Sequence, residues 1–230
     1  MVAKVNDGMP EGYSNTLKQI NHHWFTRSLV PGQRIYGERI LKEGNIEWRE
    51  WNPFRSKLAA ALASGWTSFP IREGHHVLYL GCAEGTTVSH VSDIVGKNGL
   101  VVGVDISPQA MVKFTALAET RTNILPLLGD AANPSSYAPD LDGLSFQIVV
   151  QDISQRNQGE IFLRNMRLFG TKGTEGALVI KARSIDFAAD PAKVFEGERI
   201  RLQEELTIIQ TIPLGRFEKD HFLIHSRKPA

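Results

Sequence analysis

Between residues 77 and 206 the chain alternates short apolar runs with amphipathic stretches, and few architectures accept that pattern. The runs predict strands at 77–80, 100–105, 123–128, 146–151 and 176–182. Helical periodicity predicts helices over 86–95, 108–120, 157–168 and 190–206, with Pro108 and the Asp190–Pro191 pair as their start signals. Two closing strands near 207–212 and 221–227 would form a hairpin. Strands that are apolar along their whole length are buried on both faces, as in a parallel sheet covered by helices. Right-handed crossovers then give a doubly wound α/β domain.

A further helix is predicted over 52–66, with Asn52 as its N-cap, Pro53 in its first position and Gly65 at its end. Before it the chain is rich in glycine and turn residues, with short runs at 24–25, 34–36 and 46–51. These predict a small β-rich N-terminal subdomain over 1–51, leaving 52–230 as the second domain. The aromatics Trp24, Tyr36, Trp48 and Trp51 are either its own core or a contact surface.

Composition narrows the class. Of 230 residues 42% are hydrophobic and 22% charged, ordinary values for a chain that folds. No apolar run approaches the roughly 18 residues of a membrane span. The first fifteen residues lack the apolar core of a signal peptide. The single cysteine, Cys82, excludes an internal disulfide and fits a reducing compartment, so a cytoplasmic protein is expected. The remaining histidines show no ligand spacing with Cys82, and no metal is expected.

In an open α/β sheet, ligands bind beyond the carboxyl ends of the strands. After the first of these strands stands Gly81-Cys-Ala-Glu-Gly85-Thr86-Thr87, whose G-x-x-x-G spacing is not the dinucleotide G-x-G-x-x-G. Asp105 ends the second strand, Gly129-Asp130-Ala131 follows the third and Asp152 the fourth. An acid at the second position can accept both ribose hydroxyls, and Asp130 can take a purine amino group. The plainer reading is a tight βα turn with acids capping helices. Residues 76–152 carry eight acids against three lysines or arginines, a net of −5. That charge favours a cationic nucleoside cofactor without a pyrophosphate, a description met by S-adenosylmethionine. Lys181, at the end of the next strand, would lie beside Asp152 if the two strands are neighbours. Lys57 and the Glu218-Lys219-Asp220-His221 cluster are further candidates.

The chain resembles the archaeal fibrillarin family, RNA ribose 2′-O-methyltransferases. The resemblance rests on W-N-P-F-R-S-K (51–57), V-L-Y-L-G-x-x-x-G-T-T (77–87), S-H-V-S-D-I-V-G (89–96), G-D-A (129–131), K-x-R-S-I-D (181–186) and E-K-D-H (218–221). It implies a class I methyltransferase fold and a catalytic set at Lys57, Asp152, Lys181 and His221. It also implies that S-adenosylmethionine contacts Gly81, Ala83, Gly85, Thr86, Thr87, Asp105, Ile106, Asp130, Ala131, Asp152 and Gln155. The implied partners are a C/D-box guide RNA with its target, a coiled-coil Nop-domain scaffold protein and a kink-turn-binding protein. The chain departs from the family pattern at Arg156, where D-x-x-Q-P is usual, and carries an extra acid, Glu84, in the glycine loop. The glycine/arginine-rich extension of eukaryotic members is absent.

In the implied reaction Lys181 is the general base, oriented by Asp152. Lys57 steers the ribose, and His221 contacts the nucleotide or relays the proton. Three other functions compete: a non-catalytic RNA–protein scaffold, an NAD-dependent oxidoreductase and a small-molecule methyltransferase. The net charge of +1 does not exclude RNA, because residues 27–57 and 153–186 each carry a net of +3 around the acidic segment. With so few cations in surplus, the chain alone should bind RNA weakly and depend on a protein partner.

Overall fold

The computed structural model describes residues 15–229; residues 1–14 of the expected N-terminal subdomain lie outside them. The N-terminal part forms an antiparallel sheet of β1 (Leu17–Ile20), β2 (His23–Arg27), β3 (Ile40–Glu43) and β4 (Ile46–Glu50), in the order β1-β2-β4-β3. The expected run at 34–36 is not a strand. There the Ile35 and Tyr36 amides donate to the Glu38 carboxylate, which folds the segment into bends. Trp48 and Trp51 are buried, while Trp24 and Tyr36 are partly buried. The Trp51 ring stacks on His90 with centroids 5.3 Å apart.

The second sheet has seven strands: β5 (His76–Leu80), β6 (Leu100–Asp105), β7 (Ile124–Leu128), β8 (Phe146–Gln151), β9 (Gly170–Lys181), β10 (Thr207–Pro213) and β11 (His221–Arg227). Their order is β10-β11-β9-β8-β5-β6-β7. Strands β5 to β9 pair in parallel, while β11 runs antiparallel to both β9 and β10. The sheet is therefore mixed, because the closing strands join it as a hairpin. The helices are α1 (Lys57–Ala63), α2 (Thr86–Val95), α3 (Pro108–Thr120), α4 (Gln158–Phe169), α5 (Ala182–Ile185) and α6 (Pro191–Gln203). Among the described residues no helix is long and apolar enough to cross a membrane.

Strand pleating sends alternate residues to opposite faces. Val77 and Tyr79 of β5 join a core with α1, α2 and α3, whereas Leu78 and Leu80 join one with α4 and α6. A run that is apolar at every position is what such a two-faced strand needs.

The helix predicted over 52–66 is shorter, with Ser56 as its N-cap; the Ser56 hydroxyl accepts from the Ala59 amide. Asn52 instead uses Oδ1 to accept from the Phe54 amide at 2.9 Å, making a separate turn that delays the helix. Gly65, at φ +95°, ends the helix where a side chain would be strained.

The two sheets are joined by a buried ionic cluster. Asp93 of α2 accepts from Arg49 of β4 at 2.7 Å and from Arg121 at 2.7 Å. Arg49 also donates to Glu38 at 2.7 Å. The Thr26 hydroxyl and the Leu29 amide complete the Asp93 carboxylate. All four charged side chains have 0% exposure. Burial, and then the positive charge of Arg49 and Arg121, hold the His90 imidazole well below its ordinary pKa, so it is neutral.

Candidate active site

The site is built where strands end. Asp152 follows β8 and its amide donates to the Leu80 carbonyl, tying the ends of β8 and β5 together. Gly81, at φ +82°, lets the chain turn away from β5 here; a Cβ would lie 2.6 Å from the Asp152 carbonyl oxygen. Lys181 ends β9, the parallel neighbour of β8. Its backbone is held by Gln158, which accepts from the Lys181 amide at 2.9 Å.

These placements bring two lysines onto one carboxylate. Lys181 Nζ lies 2.7 Å from Asp152 Oδ1, and Lys57 Nζ lies 3.7 Å from Asp152 Oδ2. The three side chains are 14–22% exposed, so they are sheltered yet open to a ligand. Lys181 Nζ also donates to Ser154 Oγ at 3.1 Å. Lys57 Nζ faces Glu218 Oε1 at 3.8 Å from the loop between β10 and β11. His221 is the cross-strand register partner of Lys181. Its Nδ1 donates to the Lys219 carbonyl at 2.7 Å, which leaves Nε2 as the acceptor in the neutral ring.

Beside this cluster lies a cleft of about 410 Å³, of the size small-molecule sites have. It is lined by Gly81, Ala83, Asp105, Ile106, Asp130, Ala131, Asp152, Gln155 and Lys181, among others. Asp105 accepts from the Ala83 amide with Oδ2 and from the Ser107 amide with Oδ1, at 2.8 and 2.9 Å. Each oxygen keeps a lone pair for a further donor. Asp130 Oδ1 accepts from the Ala132 amide and from Gln155 Nε2 at 3.1 Å. Lys181 is the one lysine or arginine in the lining, among the described residues. A lining of three carboxylates with one lysine suits a cationic nucleoside such as S-adenosylmethionine and ill suits a pyrophosphate.

Gly85, Thr86 and Thr87 do not line that cleft. Gly85 is needed for packing: a Cβ would come within 2.6 Å of Phe114 and Leu117. Thr87 turns its hydroxyl to Ser56, the cap of α1, at 3.1 Å and so braces the helix that carries Lys57. The added charge of Glu84 is met by Lys113 at 2.5 Å on the rim. Cys82 is buried, and burial pushes its thiol pKa up, so it is no nucleophile.

Ser154 and Gln158 support the site without having been singled out from the sequence. The E-K-D-H cluster pointed to Glu218, but nothing marked Ser154, and Gln158 reads as an ordinary first-turn helix residue. Among the described residues no group of three or more His, Cys, Asp and Glu side chains is placed to hold a metal ion.

Sheet order, the antiparallel β11 and the acidic cleft at the strand ends define a class I methyltransferase architecture. Three comparisons agree. A relative from Pyrococcus furiosus, a fibrillarin-like rRNA/tRNA 2′-O-methyltransferase, is 43% identical over 204 residues, covering 89% of each chain. The crystal structure of Aeropyrum pernix fibrillarin with natively bound S-adenosyl-L-methionine superposes with a TM-score of 0.84 at 37% identity, covering 98% of this chain and 100% of that one. Fibrillarin from a crystal structure of a fibrillarin/Nop5p complex matches with a TM-score of 0.84 at 34% identity, covering 93% and 98%. The sequence model of the fibrillarin family matches residues 4–229, and the chain belongs to that family.

Proposed function

We infer that this chain is an S-adenosylmethionine-dependent RNA ribose 2′-O-methyltransferase acting on guide-selected nucleotides of rRNA and tRNA. The observation that carries this reading is the Asp152 carboxylate set between Lys57 and Lys181 at the mouth of an acidic cleft. When bound, S-adenosylmethionine supplies a methyl group on a positively charged sulfur that keeps the bonding pair. In the cleft, Asp105 would accept the ribose hydroxyls and Asp130, braced by Gln155, would take the purine amino group.

A ribose hydroxyl is a weak nucleophile until its proton is removed. Lys181 takes that proton as the general base; its Nζ is held by Asp152 and Ser154. Asp152 faces both lysines, one from each carboxylate oxygen, so neither has the carboxylate to itself. Lys57 steers the ribose and stabilises charge developing on its oxygen. His221, with Nε2 free to accept, contacts the nucleotide or carries the proton onward.

The partners proposed are a Nop-domain scaffold protein, a C/D-box guide RNA with its target and a kink-turn-binding protein, with the complex in the cytoplasm. The Nop-domain partner is supported by the Nop5p complex of a 34% identical fibrillarin. Arg49, one of the cations that made residues 27–57 look basic, is buried in ion pairs, which supports weak RNA binding by the chain alone. The test is radiolabelled methyl transfer to a target RNA, with and without guide RNA and protein partners. Transfer that requires the guide is expected; transfer to a free catechol or amine instead would overturn the reading.

A further inference from the structure

The reaction above uses Lys181 of K-x-R-S-I-D and His221 of E-K-D-H, and leaves other charged residues of both motifs without a task. Two of these meet: Arg183 Nε donates to Asp220 Oδ2 at 3.1 Å, across 37 positions of the chain. Residues 218–221 form a turn, in which the His221 amide donates to the Glu218 carbonyl at 3.3 Å. Asp220 is the third residue of that turn and has φ +60°. Glycine or asparagine is usual at a turn position of positive φ, because most side chains are strained there. Such strain persists where the surroundings hold it. Here the Asp220 carbonyl accepts from the Ala182 amide at 3.1 Å while its carboxylate takes Arg183. Arg183 Nη1 donates to the Phe187 carbonyl at 2.6 Å and to the Ala189 carbonyl at 3.2 Å, so the guanidinium is itself fixed from the loop ahead of α6. Backbone and side chain of Asp220 are thus both tied to the residues that directly follow Lys181.

The same turn carries the His221 ring. Its Nδ1 donates to the carbonyl of Lys219, the second residue of the turn, so the orientation of the ring follows the conformation of the turn. His221 then opens β11 opposite Lys181, and Glu218, the first residue of the turn, faces Lys57. The Arg183 and Asp220 side chains are 43% and 21% exposed, and ion pairs this open add little to stability. What the pair fixes is geometry. We propose that Arg183 is a positioning residue: through Asp220 it holds the 218–221 turn so that the His221 imidazole meets the reacting nucleotide beside Lys181. The proposal rests on the ribose-methylation reading and deepens it. A misplacement of about 1 Å at a reacting centre can cost about 10²-fold in rate, so Arg183 needs no contact with RNA or cofactor to matter.

The test uses the full complex with guide and target RNA. Arg183→Ala should lower kcat about 10- to 100-fold, with cofactor affinity and thermal midpoint near wild type. Asp220→Gly keeps a residue suited to positive φ and removes only the carboxylate, and it should lose as much. His221→Ala and the double variant Arg183→Ala/His221→Ala should be equally slow, because a residue acting through His221 then has nothing left to position. In the full chain labelled with 15N-histidine, the His221 nitrogen shifts should mark Nδ1 as the protonated nitrogen. In Arg183→Ala they should move toward the average of the two tautomers. Wild-type kcat in either single variant, a further loss in the double variant, or unchanged His221 shifts would overturn the proposal. A lowered thermal midpoint in both single variants would also overturn it and assign the pair to folding. The nitrogen shifts need no turnover, so they separate failure of this proposal from failure of the methylation reading.

Discussion

Two aspartates in this molecule each sit between two cations, and they do opposite work. Asp93 lies between Arg49 and Arg121, at 2.7 Å from each, with all three side chains fully buried. Asp152 lies between Lys181 and Lys57, at 2.7 and 3.7 Å, with every member partly exposed. Arginine keeps its proton in proteins and presents a rigid planar fork, so the Asp93 cluster is fixed in charge and geometry. Lysine can surrender a proton and swing on a flexible stem, so the Asp152 cluster can take part in chemistry. One arrangement locks the N-terminal sheet onto α2. The other leaves a carboxylate and two lysines partly open where a ligand arrives. Cation type and burial together, rather than the bare charge pattern, separate a clamp from a site.

Four experiments would break or sharpen that contrast. Lys181→Ala should remove methyl transfer, a fall of at least about 10²–10⁴-fold, while cofactor binding and the urea midpoint stay near wild type. Near-normal turnover in the assembled complex would end the comparison. Asp93→Ala should do the converse. It leaves two buried guanidinium groups without their shared partner and should cost about 3–5 kcal/mol of stability, read by urea denaturation, with catalysis per folded molecule retained. A midpoint unchanged by that substitution would mean that the cluster is not what holds the sheets.

Asp105 is a third kind of carboxylate, held by the Ala83 and Ser107 amides rather than by cations. Asp105→Ala should weaken S-adenosylmethionine binding about tenfold or more by calorimetric titration, with a smaller effect on kcat at saturation. Unchanged affinity would refute the ribose assignment. The smallest effect concerns pH. His90 stays neutral in the folded state because its pKa is depressed, whereas unfolding returns it to about 6.5. Below that pH the unfolded chain binds the extra proton, so the His90 contribution should lower stability by at most about 1.4 kcal/mol per pH unit. His90→Asn should flatten the slope of the urea midpoint between pH 7 and 5; an equal slope would place the titrating group elsewhere.

The sequence by itself determined the parts that depend on local rules. Strands 100–105 and 146–151 and helices 86–95 and 108–120 have the predicted bounds, because periodicity, proline starts and glycine ends are properties of neighbouring residues. The acids at successive strand ends were legible for the same reason: chain order in a doubly wound sheet places strand ends on one edge. The false strand at 34–36 and the delayed start of α1 mark where short-range signals compete, since Glu38 and Asn52 take the backbone amides for turns. Tertiary structure alone decided which charges share a partner. Arg49 and Asp93 are 44 positions apart, and Lys181 and Asp152 are 29 apart, meeting only because β8 and β9 are neighbours. It also decided that Thr87 braces α1, that Gln158 holds the Lys181 backbone, and that Arg183 reaches Asp220. Periodicity tells a residue which face of its own element it occupies. Burial and partnership depend on what the rest of the chain brings to that face.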